Sequence, residues 1–212
     1  MEKGRLMSEK LSSLCAEFTE KLASRDPVPG GGGAAAMGGA LAASLCAMAA
    51  ILSVDKKSCA ANKDEIQRIY EQAEALRKEL LALIDEDAEG FEPLAKAYSI
   101  PKDEKGREET LFVASMAACQ APLSIMQACA KVIELLEQLR PICSKLLLSD
   151  VGCAAGMAGS GMKAAAINIF VNTKAYKGRA ESDMLDSIAD SMLEEYLKRT
   201  QAVSGAVIKE LK

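Results

Sequence analysis

PVPGGGGAAAMGGALAASLCAMAAILSV, residues Pro27–Val54, decides the fold: it carries no charged residue and is far longer than any strand. Two prolines and four consecutive glycines, Gly30–Gly33, open it, and small or apolar residues follow. Glycines ahead of good helix formers predict a loop feeding a helix from about Gly33 to Val54. Free N–H groups and the positive end of the helix dipole gather at such a start, so the loop is a candidate seat for an anionic or carbonyl-bearing ligand. The plainer alternative is a Gly-rich turn before a buried helix. A P-loop is excluded, because Gly33 is followed by Ala34, Ala35 and Ala36 rather than Lys and Ser/Thr. A Rossmann turn needs a preceding strand, whereas Lys10–Asp26 reads as helical. The length would span a bilayer, but the stretch is rich in Gly, Ala and Ser and lacks aromatic or basic anchors. Close helix packing in a soluble bundle, with no membrane partner, is the expectation.

The chain has 212 residues, enough for one domain over 1–212 with a sizeable core. Half its residues are hydrophobic but only 4% are aromatic, and Trp is absent, so the core must be Ala, Leu, Ile and Met packed between helices. A net charge of −4 offers no broad attraction for nucleic acid, and no such partner is expected. Met1–Lys21 is charged and amphipathic, unlike a secretory leader. The seven cysteines are scattered and form no CxxC pair, which fits reduced thiols in the cytoplasm. Histidine is absent, which removes a His triad, a His general base and the usual zinc sites. Proton transfer falls to Asp, Glu, Lys, Tyr, Cys or water, and no metal or other cofactor is expected.

Outward from the central stretch, Leu6–Ser24 carries a helical stripe at Leu11, Leu14, Cys15, Phe18 and Leu22, ended by Pro27 and Pro29. A third helix covers about Ala60–Tyr98, with Ile66, Ile69, Tyr70, Ala73, Leu80, Ile84, Phe91 and Ala95 on one face and a kink expected at Pro93. A fourth runs over about Asp103–Leu139 with Pro122 inside it. Ser149 is the expected cap of a fifth, Asp150–Asn172, again rich in Gly and Ala, with Asp150 where the dipole favours a carboxylate. A last amphipathic helix spans about Ser182–Leu211. No strand pattern appears, so the expected architecture is an all-α, up-and-down bundle of about six helices around two Gly/Ala-rich ones.

Laid up and down, the unusual residues sort to two ends. The Gly30–Gly33 loop, Asp87, the Pro101-Lys102 turn, Asn168 and Asn172 fall at one, and Lys56, Lys57, Ser149 and Asp150 at the other. The ends are roughly 30 Å apart along a 20-residue helix. One subunit then offers two half-sites, which an antiparallel dimer would bring together. Asp87 follows Leu80 and Ile84 and precedes Phe91 at helical spacing, inside the apolar stripe. A carboxylate so placed suits acid/base work, or else a structural ion pair or helix-cap contact. Asn168 and Asn172, four apart on one face, bond to neighbouring backbone or read a ligand's amide edge. Lys56-Lys57 is a solvated helix end or a seat for a carboxylated tail. The cysteines and methionines read as core.

Four ordered segments, PVPGGGGAAAMGGALAASL, LIDEDAEGFEPLAKAYSIPK, LSDVGCAAGMA and NIFVN, resemble the signatures of the formiminotransferase-cyclodeaminase C-terminal domain, a family that includes stand-alone methenyltetrahydrofolate cyclohydrolases. The resemblance spans roughly residues 8–200. It implies an all-helical homodimer that processes one-carbon units on tetrahydrofolate, with a folate as its small-molecule partner. Carried over residue by residue, it marks Pro29, Gly30, Gly31, Gly32, Lys56, Lys57, Ser149, Asn168 and Asn172 as substrate-binding. It marks Asp87 and Asp150 as the acid/base or orienting carboxylates, and Pro101 as a further match. Departures stand at Gly33, where many relatives have Ser, at Asp55 and Cys59 beside the lysines, at Leu147-Leu148 before Ser-Asp, and at Phe170 in place of a basic residue. Cyclohydrolase, cyclodeaminase, and a non-catalytic folate-binding or scaffold bundle of the same fold are the readings this leaves.

Overall fold

The structure, a computed structural model, describes residues 11–212. Seven α-helices follow one another among the described residues, with no strand: α1 Leu11–Leu22, α2 Gly31–Ile51, α3 Lys63–Tyr98, α4 Arg107–Ala117, α5 Gln120–Leu139, α6 Leu148–Thr173 and α7 Ala180–Leu211. Short 3-10 turns at Lys57–Asn62, Lys145–Leu147 and Lys174–Tyr176 join them. The all-α expectation is met. The expected start of the first helix at Leu6 lies outside the described residues.

Three boundaries differ from expectation. The helix expected over Asp103–Leu139 is two, α4 and α5, meeting at Ala118–Cys119. Pro122 explains the break: it has no N–H for the Ala118 carbonyl, so it is accommodated only in the first turn of a new helix. The central helix begins at Gly31 rather than Gly33, so three of the four glycines are its first turn and not a loop. Ser149 is no cap, because α6 starts a residue earlier, at Leu148, out of the Lys145–Leu147 turn, with no side-chain cap bond. Helix α3, by contrast, continues through Pro93 to Tyr98 as one element.

Helix α2 is central. It packs against α3, α5 and α6, and α6 in turn packs against α5 and α7. Ile66, Ile69, Ala73 and Leu80 of the α3 stripe are fully buried against this core, while Tyr70 and Ile84 are partly so. Ala and Gly dominate α2 because larger residues would not fit. A Cβ on Gly39 would stand 2.8 Å from Leu80 Cδ2 and 2.9 Å from Cys129 Sγ, and one on Gly161 of α6 would stand 3.0 Å from the Ala35 carbonyl oxygen and 3.1 Å from the Gly39 nitrogen. The α2 and α6 backbones therefore touch. On the far side of α6, Gly152 and Gly159 admit Val207 and Thr200 of α7 in the same way.

This packing sets an expected outcome. Gly161→Ala pushes a methyl onto backbone that has nowhere to go and should cost about 1–3 kcal/mol in urea unfolding. Gly205→Ala on α7, where a Cβ meets nothing within 4 Å, should instead stabilise by about 0.5–1 kcal/mol. Equal effects at the two glycines would contradict backbone contact at α2–α6.

Candidate active site

The start of α2 has no capping side chain of its own, since its N-cap residue is Gly30. The carboxylate that serves it comes from α3. Asp87 reaches across so closely that a methyl built on Gly32 would overlap its carboxyl oxygens. Burial raises the Asp87 pKa above its ordinary value, while the Gly33 amide donating to the carboxylate pulls the other way and loses. No ion pair to Asp87 occurs among the described residues, so of the structural alternatives it is the helix-start contact that is found. The expected anion seat is thus occupied by the chain's own carboxylate, which corrects the reading of the loop as a place for an anionic ligand.

Around this contact lies a cavity of about 190 Å³. Gly30, Gly31, Gly32, Asp87, Asn168 and Asn172 all line it, brought together from α2, α3 and α6. Pro29 does not, as it sits behind, 3.2 Å from where a Gly33 Cβ would be. Pro101 is exposed and also outside the lining. Sequence reasoning missed Phe91 and Pro122 as apolar walls and Val171 at the rim. Phe91 was legible as the next residue of the Asp87 stripe, whereas Pro122 depended on the α4–α5 break.

The Asn168 amide is held by its nitrogen end. Asn168 Nδ2 donates to the Ala164 carbonyl at 2.8 Å, and its amide lies flat against Gly31, 3.2–3.3 Å from the missing Cβ. Asn172 lies beside Cys119, whose buried thiol donates to the Ser115 carbonyl at 3.3 Å. Burial pushes the Cys119 thiol up to about 11 against that Asn172 contact, so it is a neutral hydrogen-bonding group at pH 7. Behind Asn172, Thr173 Oγ1 donates to Asp186 Oδ1 at 2.5 Å and Ser182 Oγ donates to the Thr173 carbonyl at 3.1 Å, fixing the end of α6 to the start of α7.

Lys56, Lys57, Ser149 and Asp150 are not in this cavity. The lysines follow the far end of α2 and are exposed; Asp150 is half-buried in the first turn of α6 and Ser149 is exposed beside it. Asp150 and Asn168 are 18 positions apart on one helix, roughly 27 Å. The Ser144 amide donates to Ser53 Oγ at 2.9 Å, tying the turn after α2 to the approach to α6, so this second group is a unit of its own. A groove of about 410 Å³ between α3 and α5 is larger than the Asp87 cavity, but its charges already pair, Arg68 with Glu65 and Lys131 with Glu79.

The chain as a whole is similar to known proteins. Residues 14–191 match the family described as formiminotransferase-cyclodeaminase. A methenyltetrahydrofolate cyclohydrolase of Methylorubrum extorquens is 35% identical over 167 residues, 77% of this chain and 80% of that protein. A formimidoyltransferase-cyclodeaminase of Sus scrofa is 27% identical over 87% of this chain, which spans only 35% of that longer protein. The crystal structure of a formiminotetrahydrofolate cyclodeaminase from Thermotoga maritima superposes with a TM-score of 0.77 at 25% identity, covering 96% of this chain and 99% of that one. The same helical fold and a match over most of the sequence leave one conclusion: the chain belongs to the formiminotransferase-cyclodeaminase family.

Proposed function

We propose that the chain is a tetrahydrofolate one-carbon enzyme that opens the ring of 5,10-methenyltetrahydrofolate by adding water to the carbon between N5 and N10. The observation that carries this is Asp87, a half-buried carboxylate with a raised pKa in a cavity lined by the α2 glycines and two asparagines of α6. Identity of 35% with a cyclohydrolase over 80% of its length favours that reaction. The structural likeness to a cyclodeaminase favours the second reading, in which N10 attacks a formimino carbon and ammonia leaves. Both pass through a tetrahedral carbon between two nitrogens.

In the hydrolytic direction, water attacks the methenyl carbon as Asp87 takes its proton, and the C=N electron pair moves onto nitrogen. The tetrahedral adduct then collapses to the formyl carbonyl, the carbon–N5 bond breaks, and N5 takes up a proton. Substrate cation and water give the formyl product and one proton, with no metal or redox cofactor needed for the balance. Asp150 acts in the same cycle as an orienting or second proton-transfer carboxylate, Lys56 and Lys57 hold the glutamate tail, and Ser149 assists them. A reducing, cytoplasmic setting suits seven free cysteines, five of them buried.

These groups lie at two ends of one subunit, so the active form is an antiparallel homodimer that sets each Asp87 cavity against the partner's lysine end. Support for that comes from the apolar residues left exposed along the two small-residue helices, Leu41 and Met48 on α2 with Leu52 just after it, and Met157, Ile167 and Val171 on α6. Val171, at the cavity rim, is 65% exposed and Leu52, near the lysines, 50%, so this face joins both ends.

The reading is tested by following methenyltetrahydrofolate absorbance, in hydrolysis and in formation from formiminotetrahydrofolate. Loss of signal only in the first assay identifies the cyclohydrolase, and inactivity in both rejects the proposal. Asp87→Asn should lower kcat by about 10²–10⁴-fold and abolish an acidic limb of the pH–rate profile lying above the usual Asp value of about 3.9. The sign for stability is the opposite one. A carboxyl with a raised folded pKa stabilises the fold fully only below its unfolded pKa and loses that contribution as pH rises through the folded value, so Asp87→Asn should not lower the melting temperature at pH 7.

Lys56→Ala/Lys57→Ala should raise KM more than it lowers kcat, most for polyglutamylated folate, because tail binding is shared by ground and transition states. An unchanged KM returns the pair to a solvated helix end. The protein should sediment as a dimer at micromolar concentration. Co-expressed Asp87→Asn and Asp150→Asn chains should regain activity that neither homodimer has, and inactive mixed dimers would rule out a site shared between subunits.

A further inference from the structure

Two apolar surfaces at opposite ends of the subunit are left uncovered among the described residues, and they complement each other. The first is the stripe of α1. That helix has 12 residues, a length marginal in water without tertiary packing. Yet none of its described side chains is buried: Phe18 is half-buried, Leu22 is exposed, and exposed Glu17 and Glu20 flank them. The second surface is at the lysine end. Ile51 and Leu52, where α2 finishes, are exposed, and Leu146, in the turn before α6, is 81% exposed. The Ser144 amide bond to Ser53 Oγ ties those two segments together, and exposed Lys56, Lys57 and Lys145 stand beside them in the chain. Within one subunit the two surfaces are a helix length apart. The segment after α1 meets the Asp87 cavity at Pro27 and Val28, whereas Ile51 is 20 positions beyond Gly31 on α2, roughly 30 Å.

We propose that α1 of each subunit docks on a second copy of the chain, laying Phe18 and Leu22 on the partner's Ile51, Leu52 and Leu146. This rests on the antiparallel dimer above and adds a contact which that dimer does not itself require. Turning one copy end for end brings the partner's lysine end beside the cavity, where α1 joins the bundle. The helix then reaches its seat without running back along its own subunit. Docking takes both apolar surfaces out of water and gives a 12-residue helix the packing it lacks. Charge selects the same occupant, since Glu17 and Glu20 approach three lysines, which guides the encounter and fixes its direction. The docking also bears on the site. Pro27 and Val28 are cavity wall and belong to the only link between α1 and α2, so that wall is held from the partner and the cavity is incomplete without the second copy.

The chain carries its own probes. Of its seven cysteines only Cys15, on α1, and Cys153, one turn into α6 at the lysine end, are exposed. A short bismaleimide added to the intact protein should join Cys15 of one chain to the partner's Cys153 and give a two-chain band. Cys15→Ser and Cys153→Ser should each abolish the band, and co-expression of the two variants should restore it. Leu146→Glu, at a site that leaves the core untouched, should lower the yield of the band, weaken the dimer about tenfold and raise KM more than it lowers kcat. A dimer without the band, or a band that survives in either cysteine variant, overturns the docking while leaving the homodimer in place. A link formed within one chain assigns the stripe to its own subunit, and flotation on phosphatidylcholine vesicles without the band assigns it to a membrane; either result overturns the docking. A monomer in sedimentation overturns docking and dimer together. The band in a protein that turns over no folate upholds the docking and rejects the catalytic reading instead.

Discussion

The contact between the α2 and α6 backbones is the constraint from which the rest of the molecule follows. With Gly38 and Gly39 facing Gly161, the two helices approach until a single added methyl would strike main-chain atoms. Helices this close have little side-chain volume between them, so their stability comes from dense packing of small groups and from the larger residues of α3, α5 and α7 that surround them. The same closeness puts the first turn of α2 beside the last turns of α6. Gly31 and Asn168 meet there for the reason that Gly38 and Gly161 meet about two turns away along each helix.

At that junction a capping problem and a chemical one have the same solution. A helix opening on glycine has no side chain to satisfy its first amides, and here α3 delivers a carboxylate from outside. Two effects compete on it. Burial favours the protonated acid, and the helix start with its Gly33 amide favours the anion; burial prevails. A carboxylate in that balance is nearer to exchanging a proton at working pH than an exposed aspartate, yet it is held in place by the helix it serves. Gly32 is indispensable to this geometry, since any side chain there would occupy the carboxylate's position.

The proposed two-subunit site rests on the distribution of the remaining polar residues. One end has acceptors and a carboxylate but no cation, and the other has two exposed lysines and a half-buried aspartate but no cavity among those described. A folate carries N–H donors at its pterin and carboxylates at its tail, so its two ends ask for these two kinds of surface. The exposed apolar residues on α2 and α6 run between them.

How much of this was legible beforehand follows from where each property resides. The uncharged run Pro27–Val54, the second small-residue helix, the Asp87 stripe and the lack of strand periodicity are local patterns, and they determined the all-α class, the order of the helices and the end of the bundle to which each candidate residue goes. The family resemblance rested on the same local segments. Local pattern failed where a tertiary partner intervened: Pro122 split a helix, the Lys145–Leu147 turn took over the start of α6 from Ser149, and the apparent anion seat at the glycines was filled by Asp87. The backbone bond of Asn168, by contrast, was legible, because its acceptor, the Ala164 carbonyl, lies one turn back on the same helix. Sequence determined which side chains exist on which face; only the packing of α2 on α3 and α6 decided which of their atoms were already satisfied and which were left for a ligand.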